Sequence, residues 1–299
     1  MRRPKSLIWL LLLLTAANGL VYLFRSYFQY RPYASREELY RPCDADCRQT
    51  WQQYAADFEE ELPATRRLSD SLTRGATTPG EKLDRLARHL KAGFAAQEGR
   101  PDDQLLFSTP LYQYRRLKAE PGLQLWCGNY AEMLAYLCWA EDIPARVVAI
   151  MKGGDQHVVN EVYLEEKGKW ILVDLTSGFF RVSDTSGTPL DLQAFRDEVR
   201  AGKRVTVTRL NGPGTLPPDT AFVRLYYRPD FDHIYYHRVH INTYSWPNRV
   251  VEYLWPRSWY DIYPAQPGSN LPFWIKEVLL LAWLVLFFVF CIRQTKFKL

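Results

Sequence analysis

The sequence predicts an α+β domain flanked by two transmembrane helices, and three observations carry that expectation. Residues 128–140 are apolar at Ala131, Leu134, Leu137 and Cys138, the spacing of one helix face. Residues 146–150, 157–164 and 170–175 read as strands, the last two as a hairpin around Lys167-Gly168, so the helix has an antiparallel sheet to pack on. Residues 7–24 and 278–292 are apolar runs of about membrane-spanning length near the two ends of the chain.

The elements follow in order. Arg2, Arg3 and Lys5 precede residues 7–24, which are interrupted only by Thr15, Asn18 and Gly19. A signal peptide cleaved near Ala16-Ala17 is the alternative, but the apolar run continues through residues 20–24 and favours an uncleaved anchor. Residues 25–78 read as a helical extension, in which Trp51, Tyr54, Ala55, Phe58 and Leu62 mark an amphipathic helix that should stop at Pro63. Thr78-Pro79-Gly80-Glu81 has the form of a capping box, and Leu83, Leu86, Leu90 and Phe94 give the helix behind it a buried face. Residues 97–103 read as a polar loop and Pro121-Gly122 as the turn before the helix of residues 128–140, which ends at Ile143-Pro144.

Gly153-Gly154 reads as a turn between strands. If Lys167 and Gly168 form a two-residue loop, Glu161 pairs with Asp174, and His157 shares a face with both; a longer loop brings His157 and Asp174 closer. Leu192, Phe195 and Val199 suggest another helix and residues 205–208 another strand. Asn211-Gly212-Pro213-Gly214, followed by Pro217-Pro218, reads as a boundary, so that the α+β domain occupies residues 79–210. Residues 211–271 are rich in aromatics, among them Tyr226, Tyr227, Tyr235, Tyr236, Trp246, Trp255, Trp259, Tyr260 and Tyr263. They suit core packing, an interfacial belt on the bilayer, a platform for a sugar or lipid-linked ligand, or a docking face for another membrane protein. The second span, residues 272–292, is closed by Arg293, Lys296 and Lys298, while Lys276 and Glu277 can snorkel at its entrance. With basic residues in both tails, 1–6 and 293–299, the positive-inside rule places both ends in the cytoplasm and the main domain outside it, as on the periplasmic side of a bacterial inner membrane.

Three residues stand out chemically. Cys127, in Trp126-Cys127-Gly128-Asn129, falls at a helix N-terminus, where the dipole favours a thiolate. His157 and Asp174 sit on the hairpin, where a carboxylate behind an imidazole fixes its tautomer. Taken singly, each has an ordinary structural reading; together they form a candidate Cys127/His157/Asp174 triad. Cys138 reads as a core residue, and Cys291 lies in the second span. Cys43 and Cys47 could close a small disulfide loop, a reading favoured over a metal pair or two free thiols because no second cysteine or histidine cluster is near. His233, His237 and His240 fall in strand-like sequence that splits them between two faces, which argues against a metal site. No phosphate-cradling glycine loop is apparent, so nucleotide use is not supported, and no cofactor is expected. The net charge of +5 is modest and partly belongs to the basic tails, which argues against a nucleic-acid partner.

From about Pro79 to Gly178 the chain resembles the transglutaminase-like branch of the papain-type thiol enzymes. The resemblance rests on the order Cys127, Ile143-Pro144, His157-x-x-x-Glu161 and Trp170-x-x-x-Asp174. Val159 and Gly128 stand where that family often has aromatics, departures that concern substrate type more than fold. The resemblance implies a cysteine-bearing helix packed on an antiparallel sheet that carries histidine and aspartate. It also implies a thiol peptidase, amidase or acyltransferase, for which membrane-near envelope proteins, peptides or amide-bearing glycans are natural substrates. A non-catalytic, membrane-anchored interaction protein with the same fold, serving an envelope polymer synthesis or export complex, is the alternative.

Overall fold

Among the described residues, helix α1 (Lys5–Leu23) is the first element and helix α11 (Leu271–Thr295) the last, both apolar along most of their length. In this computed structural model the described residues are 5–24, 27–28, 34–51, 53–54, 56–106, 108–152, 155–228, 233–237, 239–240, 260–262 and 270–295. Two compact units result: Met1–Arg31 with Arg249–Pro256 and Gly268–Leu299, and Pro32–Asn248 with Arg257–Pro267.

In the first unit α1 and α11 pack side by side. Ser6–Leu23 and Leu271–Arg293, with mean hydropathies of 2.0 and 2.5, are long and apolar enough to cross a membrane. Two polar side chains of α1 make hydrogen bonds within the pair, although Asn18 Oδ1 is buried without a partner among the described residues. Trp283 Nε1 donates to Thr15 Oγ1 at 2.8 Å, and Asn18 Nδ2 donates to the carbonyls of Leu14 at 2.9 Å and Leu279 at 3.4 Å. Hydrogen bonding of this kind offsets much of the expense of polar atoms in an apolar medium.

The second unit is built on one five-stranded antiparallel sheet. Its order is β10 (Tyr260–Ile262), β8 (His233–His237), β2 (Ala145–Lys152), β3 (Asp155–Leu164) and β4 (Lys169–Val173). Alternation sends successive side chains to opposite faces. Val147, Ala149, Val158, Val162, Ile171 and Val173 meet helices, while Val148, Ile150, Val159, Trp170 and Leu172 meet a second core. Helices α4 (Ala56–Thr73), α5 (Pro79–Phe94), α7 (Pro110–Ala119) and α8 (Cys127–Ala140) form the helical layer, with α8 lying against β2 and β3. On the other face lie α2 (Arg36–Leu39), α3 (Ala45–Trp51), α9 (Leu192–Arg200), α10 (Ala221–Tyr226) and a small antiparallel sheet of β5 (Arg181–Ser183), β6 (Val205–Arg209) and β7 (Gly212–Leu216). A short helix α6 (Asp103–Leu106) precedes α7, and β1 (Gln53–Tyr54) pairs in parallel with β9 (Val239–His240).

Several expectations change. The helix expected to stop at Pro63 instead breaks at β1 and then runs through Pro63 as α4. An interior proline costs about 3 kcal/mol, but Pro63 is exposed, and the turns beyond it bring Leu68 and Leu72 onto the main core and Ser69 Oγ onto the Leu137 carbonyl at 3.3 Å. Tertiary packing outweighs the local penalty. The 3₁₀ turn Ala95–Gln97 ends where the segment read as a polar loop begins, Asp103 at the far end of that segment starts α6, and α7 is an element that the sequence reading lacks, although Thr109-Pro110 is a helix start. The β3–β4 connection is a 3₁₀ turn, Glu165–Lys167, closed by Gly168 at φ 60°, so Leu164 pairs with Lys169 and Asn160 with Val173. One further step of this register sets Asp174 opposite Val159 rather than Glu161, two residues nearer His157. Asn211-Gly212 is spanned by the β6–β7 hairpin, in which Arg209 pairs with Gly212. The Gly153-Gly154 turn lies outside the described residues, as do Trp246, Trp255, Trp259 and Tyr263.

Outside the helical layer, the fold is tied by a buried ion pair. Arg146 and Glu161 are both wholly buried, joined by Nε at 2.9 Å and Nη2 at 2.6 Å. Arg146 also donates to the Leu39 carbonyl at 2.7 Å, and its guanidinium lies 4.1 Å from the Trp170 ring and 4.6 Å from that of Tyr236. Glu161 accepts from Tyr40 Oη at 2.8 Å and from the Leu192 N–H at 2.7 Å. Cys43 and Cys47, joined as a disulfide, sit in the same N-terminal segment. Removing one partner strands a buried charge, so Glu161→Ala should cost about 3–5 kcal/mol in urea unfolding of the detergent-solubilised chain, whereas Arg146→Met/Glu161→Leu should recover most of that loss.

Candidate active site

Three parts of the chain converge at one end of the sheet. Cys127 is the first residue of α8 and is partly buried. The helix starts here because Asn129, 2% exposed, turns back so that its Oδ1 accepts the Trp126 N–H at 2.9 Å. Asn129 Nδ2 in turn donates to Gln113 Oε1 at 3.0 Å, and Gln113 Nε2 donates to Glu132 Oε2 at 3.1 Å. This network leaves the N–H groups of the first turn of α8, Cys127 included, directed out of the helix end. Trp126, the residue before Cys127, is 45% exposed.

His157 lies near the start of β3 and is 3% exposed. Three residues on, Asn160 Nδ2 donates to the Ala131 carbonyl of α8 at 2.9 Å, which locks the histidine strand against the cysteine helix. Asp174 follows β4 and is wholly buried. It begins a tight turn: Ser177 N–H donates to Asp174 Oδ1 at 3.0 Å, and Phe179 and Asp174 exchange backbone bonds at 2.7 and 2.9 Å. Gly178 takes φ 75°, a left-handed conformation that other residues adopt only with strain. Lys91 of α5 holds the turn from outside, donating to the Thr176 carbonyl at 2.9 Å and pairing with Glu98.

The structure brings all three residues together. His157 Nε2 donates to Asp174 Oδ2 at 2.8 Å, which leaves Nδ1 for the Cys127 sulfur, with which the ring also interacts. Burial alone would push the His157 pKa down. The charge and hydrogen bond of Asp174, joined by those of Cys127, outweigh it and raise the value to about 10. Burial would likewise raise Asp174, yet the His157 charge, the hydrogen bonds from His157 and Tyr227 and the Ser177 N–H hold it down at about 2. Both shifts favour the charged pair, imidazolium and carboxylate, over its neutral form. Cys138 is buried in the core of α8, where burial and then Glu141 push its thiol up.

Two residues at the site were not assigned to it from sequence. Tyr227 Oη donates to Asp174 Oδ2 at 2.7 Å, and the Tyr226 ring stacks on His157 at 4.5 Å and 27°. Both belong to the aromatic-rich run beyond residue 211, whose composition was visible but whose path back to the triad was not. Gln124 and Trp126 precede the nucleophile, and the Trp126 N–H is already committed to Asn129.

Residues 66–175 match the model of the Transglutaminase-like superfamily. Two solved structures are similar. One is a "putative protease" from Parabacteroides distasonis, with 14% identity, 54% of this chain and 30% of that one covered, and a TM-score of 0.29. The other is a "putative cysteine protease" from Cytophaga hutchinsonii, with 18% identity, 41% and 43% covered, and a TM-score of 0.28. The chain spans less than half the length of either. No curated protein matches.

The two titrations give opposite pH signs. His157, raised from its ordinary 6.5, contributes stability that is complete below that value and lost as pH rises through about 10; Asp174, lowered from 3.8, contributes stability that is lost as pH falls towards about 2. Thermal unfolding should therefore show a melting temperature that declines between pH 6.5 and 10 in the parent chain. Asp174→Asn should be less stable at pH 6 and lose most of that slope.

Proposed function

We propose that the transglutaminase-like domain of this chain is a thiol hydrolase or acyltransferase that acts on amide bonds, and that α1 and α11 anchor it to a membrane with the domain on the extracytoplasmic side. The observation that carries the catalytic reading is the buried His157–Asp174 pair, 2.8 Å apart, meeting a cysteine at a helix N-terminus. Two apolar helices packed on one another, with basic residues in both tails, support the anchoring and the orientation.

The chemistry follows from that geometry. His157 Nδ1 takes the Cys127 thiol proton as Sγ attacks the amide carbon, and the C=O electron pair moves to oxygen. The Cys127 N–H at the helix end can receive that oxyanion, helped by the helix dipole. The His157 imidazolium then gives its Nδ1 proton to the leaving nitrogen as the C–N bond breaks, leaving a thioester and a neutral amine. Water attacks the thioester while Nδ1 takes its proton; the C–S bond breaks, a carboxylic acid is released, and the departing sulfur recovers the proton from Nδ1. With an amine in place of water the product is a new amide. Asp174 keeps Nε2–H hydrogen-bonded throughout, so Nδ1 is always the working nitrogen. A membrane-held, extracytoplasmic domain makes envelope proteins, peptides and amide-bearing glycans the natural substrates.

Iodoacetamide tests this reading. In the folded, detergent-solubilised chain at pH 7, Cys127 should alkylate roughly tenfold or more faster than Cys138, as read by peptide mass spectrometry. His157→Ala should abolish the difference and Asp174→Asn should weaken it. Equally slow labelling of both thiols would contradict the proposal.

A further inference from the structure

Tyr227 lies 52 residues beyond the end of the family match at 175, yet it reaches the centre of the site. Asp174 Oδ2 accepts two hydrogen bonds, from His157 Nε2 at 2.8 Å and from Tyr227 Oη at 2.7 Å. A hydroxyl this short and this deep is no surface contact, because both Tyr227 and Asp174 have no solvent exposure. It can only donate there: the ionised carboxylate offers no proton, and burial followed by the Asp174 charge keeps the phenol protonated.

The ring is held rigidly. Phe195 and Phe222 meet it edge-on at 4.9 and 5.6 Å, and the Tyr227 N–H and Arg228 N–H both bond to the Val223 carbonyl at 2.9 Å, ending α10. The neighbouring Tyr226 covers the face of His157, and Tyr227 itself meets the imidazole edge-on at 6.1 Å. The end of α10 therefore touches both members of the His157–Asp174 pair at once.

We propose that Tyr227 is a positioning residue of this site: by donating to the same Asp174 oxygen that receives His157 Nε2–H, it fixes the carboxylate and through it sets the orientation and basicity of the imidazole. The inference rests on the thiol-enzyme reading only for its catalytic consequence; the hydrogen-bond geometry stands apart from it. A carboxylate oxygen that loses one of two donors becomes a stronger acceptor for the other, so removing the hydroxyl strengthens the hold of Asp174 on the imidazolium. The His157 titration midpoint should then move up, while the imidazole loses the fixed carboxylate that aims it. The reading also makes α10 part of the functional unit, so that residues 66–175 are insufficient for a fully set site.

The test is Tyr227→Phe in the full chain in detergent micelles, which keeps the ring and removes one oxygen. Two quantities are read: the downfield proton resonance of His157 Nε2–H with its pH midpoint, and the pH dependence of Cys127 alkylation by iodoacetamide. Loss of the hydroxyl should move the Nε2–H resonance, raise its midpoint and, because the imidazolium it favours stabilises the neighbouring thiolate, displace the pH profile of Cys127 alkylation towards lower pH. Site-specific 3-fluorotyrosine at position 227, whose more acidic phenol is a stronger donor, should move the midpoint down, and it serves if Tyr227→Phe does not fold. A resonance, midpoint and alkylation profile that superimpose on those of the parent chain would overturn the proposal. If Tyr227→Phe moves the resonance, and does so equally in a Cys127→Ala background, while Cys127 of the parent labels no faster than Cys138, Tyr227 still positions the pair and it is the thiol-enzyme reading that fails.

Discussion

A carboxylate with no access to water is the constraint around which this site is arranged. Removing an ion such as Asp174 from solvent is affordable only if its oxygens are satisfied by donors, and an unpaired one would be strongly destabilising. Three donors meet it: the His157 ring, the Tyr227 hydroxyl and the Ser177 N–H. Each comes from a different local structure, and each is fixed by its own neighbours. The orientation of the imidazole is thus a consequence of satisfying Asp174, and a histidine held in this way presents one defined nitrogen to the sulfur.

Separate ties make the three parts meet. Asn160 bonds β3 to the middle of α8, so the spacing between Cys127 and His157 follows from helix and strand geometry and not from a loop. Lys91 bonds the Asp174 turn to α5. The Asn129–Gln113–Glu132 network sets where α8 begins, and therefore where the sulfur and its N–H stand. On the far face of the sheet, Arg146 and Glu161 bind the N-terminal segment through Leu39 and Tyr40, and Glu161 also caps the entry to α9. Glu161 is four residues from His157 on the same strand, so the ion pair braces the strand that carries the histidine.

Much of this was legible in the sequence because it is local. Helical spacing marked α8 and α5, alternation marked β2 to β4, and short motifs marked Cys127, His157 and Asp174. What sequence could not supply was of two kinds. The first is competition between local and tertiary terms: Pro63 signals a helix end, yet α4 continues because Leu68 and Leu72 find a core that periodicity alone does not reveal. The β3–β4 loop is similar, since Lys167-Gly168 fits a two-residue turn as well as the 3₁₀ turn with a left-handed Gly168 that forms. The second is long-range proximity. Tyr227 is 53 residues from Asp174 and Gln113 is 16 from Asn129, and no periodicity links such pairs. Aromatic enrichment beyond residue 211 pointed at the right segment without saying which ring would reach the carboxylate.

If Cys127, His157 and Asp174 act as one acyl-transferring unit, the acyl group must pass through the Cys127 sulfur. Intact-mass and peptide mass spectrometry of the solubilised chain, quenched in acid after mixing with an activated acyl ester such as p-nitrophenyl acetate, tests it most directly. One acyl group per chain should appear, carried by Cys127 as a thioester, formed in a burst of p-nitrophenol and lost on longer incubation or on adding an amine. His157→Ala should form it far more slowly. An unacylated Cys127, or acyl groups spread evenly over Cys127, Cys138 and Cys291 and unaffected by His157→Ala, would mean that the three residues are not a catalytic unit.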